Sequence, residues 1–280
     1  MNKKSSTTEL KLTSNERLSL NNKINLYPKK YINFVPEGLQ LFTFNSGFKK
    51  QLDDLLIVVF DQVVNCKSVY SKTSTPSAPI IWDKKNDKGN VKALVVNSGN
   101  ANAYTGSKGI QVINEYVDYL CSKIKCKKSE VLVSSTGVIG EIFKSTKIIK
   151  NIAKIYKTKN TSLLNAAKSI MTTDTYPKIS IQNVKIDNIK FKIYGIAKGS
   201  GMIKPNMGTM LAYIFIEISV SKKILERLLK YNLDNTFNAI SVDSDTSTSD
   251  TLVLFSLNKK KVNLLKNKNL LVLNKAIYKI

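Results

Sequence analysis

Two spacings of apolar residues alternate along this chain, and together they predict a mixture of strands and helices. Leu55-Leu56-Ile57-Val58-Val59-Phe60 and Val91-Lys92-Ala93-Leu94-Val95-Val96 are short, nearly continuous apolar runs, the pattern of buried strands. Ser74 to Pro79, broken by proline and serine, reads as the connection between them. Ile110, Ile113, Val117, Leu120, Cys121 and Ile124 then recur at helical spacing, as do Ile148, Ile149, Ile152 and Ile155. Leu163, Leu164, Ala167 and Ile170 predict a third helix, with cap candidates at Asn160 to Ser162.

From Ile179 the period shortens to two. Ile179, Ile181 and Val184 lead to Asp187-Asn188, a polar pair suited to a hairpin turn into Phe191, Ile193 and Gly195. A glycine-rich, proline-broken loop, Lys198 to Thr209, then opens onto the apolar run Ala212 to Ile218. A helix from Ser221 to about Tyr231, a polar stretch at 243–251 and a strand at Leu252 to Leu257 follow. The tail beyond Asn258 carries short Val/Leu runs between lysines, and no element is assigned to it. Residues 1–31, rich in Ser, Thr, Asn and Lys without periodicity, read as a loosely ordered leader. Mixed strand and helix blocks predict an α/β layered architecture.

Composition narrows the chemistry. At 280 residues the chain can bury a large core. Its net charge of +24 invites a nucleic-acid reading. Yet Arg17 and Arg227 are the only arginines among 44 basic residues, and the lysines are scattered among Asn and Ile, so no nucleic-acid partner is expected. The absence of histidine excludes Ser-His triads and His-ligated metal, and no metal site is expected. Cys66, Cys121 and Cys126 show no C-x-x-C spacing. Cys121 falls on an apolar helical stripe, where packing is its expected role. No apolar run reaches the roughly 18 residues of a membrane span, and Met1 to Leu12 lacks a signal-peptide core, so a cytoplasmic protein with no membrane partner is expected.

Four polar blocks interrupt this pattern. Asn97 to Gly106, between a strand and a helix, offers amides and backbone N–H groups, either as a tight turn with a cap or as donors to a ligand. Ser134-Ser135-Thr136-Gly137 ends another strand, and a Thr hydroxyl beside a Gly N–H can aim two donors at a developing oxyanion. Met171 to Lys178 closes the third helix with hydroxyls and a carboxylate that suit a cap or a polar ligand equally. The loop ending at Gly208-Thr209 is more specific. A threonine entering a strand from flexible, glycine-rich backbone suits an N-terminal-nucleophile mechanism, in which its hydroxyl attacks the Gly208 carbonyl and the freed α-amine then serves as base.

These blocks, with Val242 to Thr251, stand in the order of the signature segments of the ornithine acetyltransferase family, and over roughly residues 35 to 257 the chain resembles those bifunctional glutamate N-acetyltransferases of arginine biosynthesis. The resemblance implies a layered α/β sandwich similar to self-cleaving N-terminal-nucleophile enzymes. It implies cleavage between Gly208 and Thr209, giving an α-chain region at 32–208 and a β-chain region at 209–280, with α and β chains assembled as a heterotetramer. Thr209 would be the nucleophile, Thr136 and Gly137 the oxyanion pair, and Thr172, Lys198 and Thr209 the substrate contacts. Acetyl would pass from N-acetylornithine to glutamate with no cofactor, acetyl-CoA serving some members as donor. Gly208 replaces the family's usual alanine.

The resemblance also sets an expectation of what is missing. Family β chains continue into a Gly-rich segment with a substrate-binding glutamate, whereas Asp250 is the last acidic residue here and the chain stops at Ile280. A separate chain completing the site, a degenerate non-catalytic remnant and a truncated product are the alternatives.

Overall fold

The computed structural model describes residues 34–202, 210–243 and 247–280. The leader expected at 1–31, together with Gly208 and Thr209, lies outside the described residues.

In chain order the elements are β1 (Leu39–Phe44), β2 (Leu55–Tyr70), α1 (Ala78–Asn86), β3 (Asn90–Asn100), α2 (Gly106–Ile124), β4 (Val131–Val138), α3 (Thr146–Ile152) and α4 (Leu163–Ser169). They continue with β5 (Lys178–Ile186), β6 (Ile189–Lys198), β7 (Leu211–Ile218), α5 (Lys222–Asn232), β8 (Thr251–Lys260) and α6 (Asn267–Tyr278). The strands join in the order β4-β3-β2-β8-β7-β6-β5, with β1 beside β2. β3–β4 and β7–β8 are parallel, and the other pairs antiparallel.

The long strand β2 makes the fold possible. Its first part pairs with β1 and β3 and its last part with β8, and the register shifts between Val59 and Val64. Such an irregularity bends a strand and strengthens its twist. The two halves of the sheet therefore face one another, and Leu56, Val58, Leu94 and Val96 share a core with Tyr213, Phe215, Val253 and Phe255. Phe60 packs across this interface with its ring tilted, its centroid 6.2 Å from that of Phe215 and 5.0 Å from that of Phe255.

Helices cover the outer faces. Trp82 of α1, Ile113 and Val117 of α2 and Ile148 of α3 pack on Ile57, Val95 and Val133. Leu225 and Leu228 of α5, with Leu273 and Ile277 of α6, pack on Ile193, Ile214, Ile216 and Leu254. The result is the expected α/β layered sandwich, ordered helix, sheet, sheet, helix. Every residue of β7 is buried because both its faces are covered: Leu211, Tyr213 and Phe215 point into the inner core, and Ala212, Ile214, Ile216 and Ile218 meet the helices. A strand so placed reads as a continuous apolar run. Each of its large side chains stabilises the fold by about 1.5–3 kcal/mol.

Local signals behave as their chemistry dictates. Ser162 caps α4, accepting the Asn165 N–H at 3.3 Å, and Ser221 caps α5. Asn160 does not cap; its side-chain oxygen accepts the Leu41 N–H at 2.7 Å and ties the helix approach to β1. Asp187 turns the β5–β6 hairpin at φ 51°.

Three elements go beyond the periodicity. The stretch Ser74 to Pro79, read as a connection, ends in α1, whose first turn tolerates Pro79 because its N–H would have no helical partner there. β1 is a short strand before the first apolar run. The tail forms α6, whose buried Leu273 and Ile277 lie one turn apart, with only Lys275 exposed between them. Cys121 does pack against the α1–α3 core, and its sulfur lies 3.4 Å from that of Cys126.

Candidate active site

The parallel strands β3 and β4 finish at the same end of their sheet, with Gly99 opposite Gly137. β6 ends at Lys198, which lies across from Leu211 at the start of β7, and Leu211 lies across from Thr251 at the start of β8. The ends of β3, β4 and β6 open on one cleft of about 660 Å³. Thr136, Gly137, Thr172 and Lys198 line it together, although three distant segments supply them. Lys49 and Ser247 to Ser249 complete much of its wall.

The turn carrying Thr136 and Gly137 is braced from beneath. Ser135 Oγ donates to Asn97 Oδ1 at 2.6 Å, Asn97 Nδ2 donates to the Asn100 carbonyl at 2.8 Å, and Asn100 Nδ2 donates to the Glu141 carbonyl at 2.9 Å. Backbone bonds from Ala101 N–H to Val138 O at 2.8 Å and from Gly140 N–H to Ala103 O at 2.9 Å close the zipper. The amides of the first polar block thus support the second block, while Gly99 and Ala101 reach the cleft wall. Gly137 has φ 131°, a conformation that favours glycine.

Asp174 joins the Thr172 segment to the end of β6. Its carboxylate accepts from Lys178 Nζ at 2.6 Å, the Gly199 N–H at 2.8 Å and the Thr172 N–H at 3.2 Å. Burial alone would raise this carboxyl, but the Lys178 and backbone donors outweigh it and hold the group below the usual range. Between the two readings of this block, Asp174 is a backbone clamp, while Thr172 and Thr173 line the cleft.

Lys198 is 2 % exposed, and desolvation pushes its amine down to about 8 against the pull of Asp174 and Asp250. Asp250, 1 % exposed, is pushed up to about 8 by burial, opposed by the Met210 N–H and by Lys198. Its Oδ1 accepts the Met210 N–H at 2.6 Å. Met210 is the first described residue after Thr209, so the amide that Asp250 holds is the next one along the chain from the expected nucleophile.

Two members of this site are not legible in sequence. Lys49, whose Nζ donates to the Met171 carbonyl at 2.6 Å, is one lysine among many and lies more than a hundred residues from its partner. Asp250 sits inside a recognisable polar block, and only its burial singles it out. Among the described residues no group of three or more His, Cys, Asp or Glu side chains is placed to hold a metal. Among the described residues no helix is long and apolar enough to cross a membrane.

Comparison with known proteins bears on this cleft. The model of the ArgJ family matches residues 40–280. A relative from Mesorhizobium japonicum, an arginine biosynthesis bifunctional protein ArgJ, is 43% identical over 238 residues, covering 84% of this chain and 58% of that protein. An ArgJ protein from Bartonella henselae is 40% identical over 226 residues, covering 80% and 55% respectively. The chain thus spans little more than half the length of these curated relatives. The crystal structure of an ArgJ protein from Bacillus halodurans superposes with TM-score 0.56 at 27% identity, covering 62% of this chain and 92% of that one. An aminopeptidase from Ochrobactrum anthropi, a variant of the Ntn hydrolase fold, is 9% identical with TM-score 0.50, covering 90% and 85%, and shares the fold alone.

Proposed function

The chain belongs to the ArgJ family, and from that premise we propose that its cleft carries acetyl transfer from N-acetylornithine to glutamate, through a Thr209 nucleophile that cutting the chain creates. One observation carries the reading: Thr136, Gly137, Thr172 and Lys198, from three separate segments, line a single cleft, and Lys198 pairs with Leu211, two residues after Thr209.

The first step is cutting. Thr209 Oγ bonds to the Gly208 carbonyl carbon, the C–N bond breaks, the hydroxyl proton passes to the departing nitrogen, and water hydrolyses the ester. A threonine with a free α-amine results, and that amine takes the proton of its own hydroxyl in the next reaction. The solved Bacillus halodurans chain, matched over 92% of its length by 62% of this one, is shorter than this chain, while the curated relatives are longer. Long relatives and a short solved chain support cutting.

Transfer then runs in two halves. Thr209 Oγ takes the acetyl group from N-acetylornithine or from acetyl-CoA, and ornithine or the thiol leaves. The glutamate amine attacks the acetyl ester and restores the hydroxyl. Each attack builds negative charge on the acetyl oxygen, which the Thr136 hydroxyl and the Gly137 N–H stabilise. Lys198 and Thr172 hold substrate, with the buried ammonium as counter-ion to a carboxylate. Val138 and Ile139, 49% and 46% exposed beside the cleft, support its completion by further polypeptide, which supplies the remaining substrate contacts.

A denaturing gel with N-terminal sequencing tests the first step. Two fragments are expected, the smaller beginning Thr-Met-Leu, and none from Thr209→Ala. An intact wild-type chain, or a cut that persists in Thr209→Ala, refutes the mechanism.

A further inference from the structure

We infer that a pocket at the start of β6, remote from the cleft, is a binding site for a free α-amino acid, whose ammonium pairs with Glu217 and whose carboxylate meets the lysines around it.

A break in two ladders gives Glu217 its place. β6 pairs with β7 only as far as Ile193 opposite Ile216, and the β7–β8 register shifts between Ile216 and Ile218. Where the β6–β7 ladder stops, the Glu217 carboxylate replaces a backbone acceptor: its Oε2 accepts the Lys192 N–H at 2.6 Å. Glu217 is only 7 % exposed, yet its other oxygen has no hydrogen-bond partner among the described residues. No ion pair among the described residues includes it. Burying a carboxylate with one amide donor and no counter-ion opposes folding, and a cation brought to the free oxygen relieves that cost.

The free oxygen belongs to the lining of a pocket of about 510 Å³. Val184 and Phe191, both buried, supply an apolar wall. Lys185, Lys190, Lys192 and Lys260 also line it, and all four are exposed. Two of these lysines are held by other groups: Lys260 Nζ donates to the Lys190 carbonyl at 2.7 Å, and Lys192 Nζ lies 5.1 Å from the centroid of the Phe34 ring. Glu37 adds an exposed carboxylate, and its carbonyl accepts the Tyr194 hydroxyl at 3.4 Å, which ties this wall to the inner core.

This combination selects the ligand. A simple amine would satisfy Glu217 but would be repelled by four lysines, and a simple carboxylate would meet the lysines but leave Glu217 unpaired. An α-amino acid carries both charges on one carbon, so each can make a charge-assisted contact. An unbranched aliphatic side chain suits the wall of Val184 and Phe191. Lys192 in this pocket and Lys198 in the cleft stand on the same strand, about 20 Å apart at the rise of a β-strand. One small ligand cannot occupy both.

The test titrates the isotope-labelled protein with L-norleucine and with its two halves: pentylamine, which lacks the carboxylate, and hexanoate, which lacks the amine. Amide shifts are followed by NMR. L-Norleucine should move the amides of residues 184–192 and 217 saturably, with a Kd below about 1 mM. Each half should bind there at least about tenfold more weakly. Glu217→Gln keeps an acceptor for the Lys192 N–H and removes the charge, so it should weaken L-norleucine at least about tenfold. Absence of a saturable shift at those amides overturns the inference, as does either half binding as tightly as the whole. Shifts confined to Thr136, Gly137, Thr172 and Lys198 put the amino acid in the cleft and overturn it too. Wild-type affinity in folded Glu217→Gln has the same consequence, and where that variant does not fold, the three probes on the wild-type protein decide the matter.

Discussion

Gly137 packs so closely against Gly99, its partner across the β3–β4 ladder, that a Cβ on Gly137 would overlap the Gly99 carbonyl carbon. Neither strand can withdraw, because the Asn97, Asn100 and Ser135 side chains bind the two turns together. Gly137→Ala adds strain at φ 131° to this overlap and should cost roughly 2–5 kcal/mol. A urea midpoint unchanged from wild type would refute the account. Displacing the turn also displaces Thr136, so cutting should slow in whatever fraction of the variant folds.

The carboxyl of Asp250 gives a pH-dependent stability with a definite sign. Its folded value, about 8, stands far above the ordinary carboxyl value near 3.8. Its contribution to stability is complete below the unfolded value and is lost as pH rises through the folded one. In a Thr209→Ala background, where both proteins stay uncut, Asp250→Asn cannot ionise and avoids this loss. Its melting temperature should gain on the parent's as pH rises from about 4 to about 8. A constant difference across that range would contradict the buried, strained carboxyl.

Lys49 ties the end of α4 to the first polypeptide segment beyond β1. Its Nζ donates to the Met171 carbonyl at 2.6 Å and lies 3.4 Å from that of Ser169, while the Asp54 carboxylate accepts the Lys49 N–H at 2.8 Å. Lys49→Met keeps most of the side-chain volume but leaves the Met171 carbonyl unpaired, at a cost of about 1–3 kcal/mol. The amides of residues 171–174 should exchange with solvent faster than in wild type. Unaltered exchange there would mean that Asp174 alone holds the segment.

Cys121 and Cys126 bring their sulfurs to 3.4 Å at the C-terminal end of α2, where Lys125 turns the chain back in the left-handed conformation. Both are half-buried. A mild thiol oxidant such as diamide should close them into a disulfide, read as the loss of two hydrogens in the peptide spanning both. Cys126→Ser should abolish that species. Preferential oxidation of Cys66, which is fully buried, would contradict this geometry.

Strand β7 and helix α5 were legible because their own residues carry the signal. A nearly continuous apolar run, broken only at Glu217, implies cover on both faces, and the period of Leu225, Leu228 and Leu229 implies a helix over a core. α1 and α6 were not, since α1 begins within a proline-broken stretch and α6 places only two of its apolar residues firmly against the core. β1 has too few residues to be read alone, and its pairing with β2 makes it a strand.

The same division holds at the site. The order of its polar blocks was enough to identify the family and to nominate Thr136, Gly137, Thr172 and Lys198, because each block is local and keeps its chemistry in a few adjacent residues. What the tertiary structure decided is which of those residues meet, and what holds them. The bend in β2 folds the sheet on itself, bringing β6, β7 and β8 to the end where β3 and β4 finish. Burial then sets Lys198 and Asp250 apart from the many lysines and the few acids around them. Charge state in a cleft depends on desolvation and on partners distant in sequence, and no local pattern of residues encodes either.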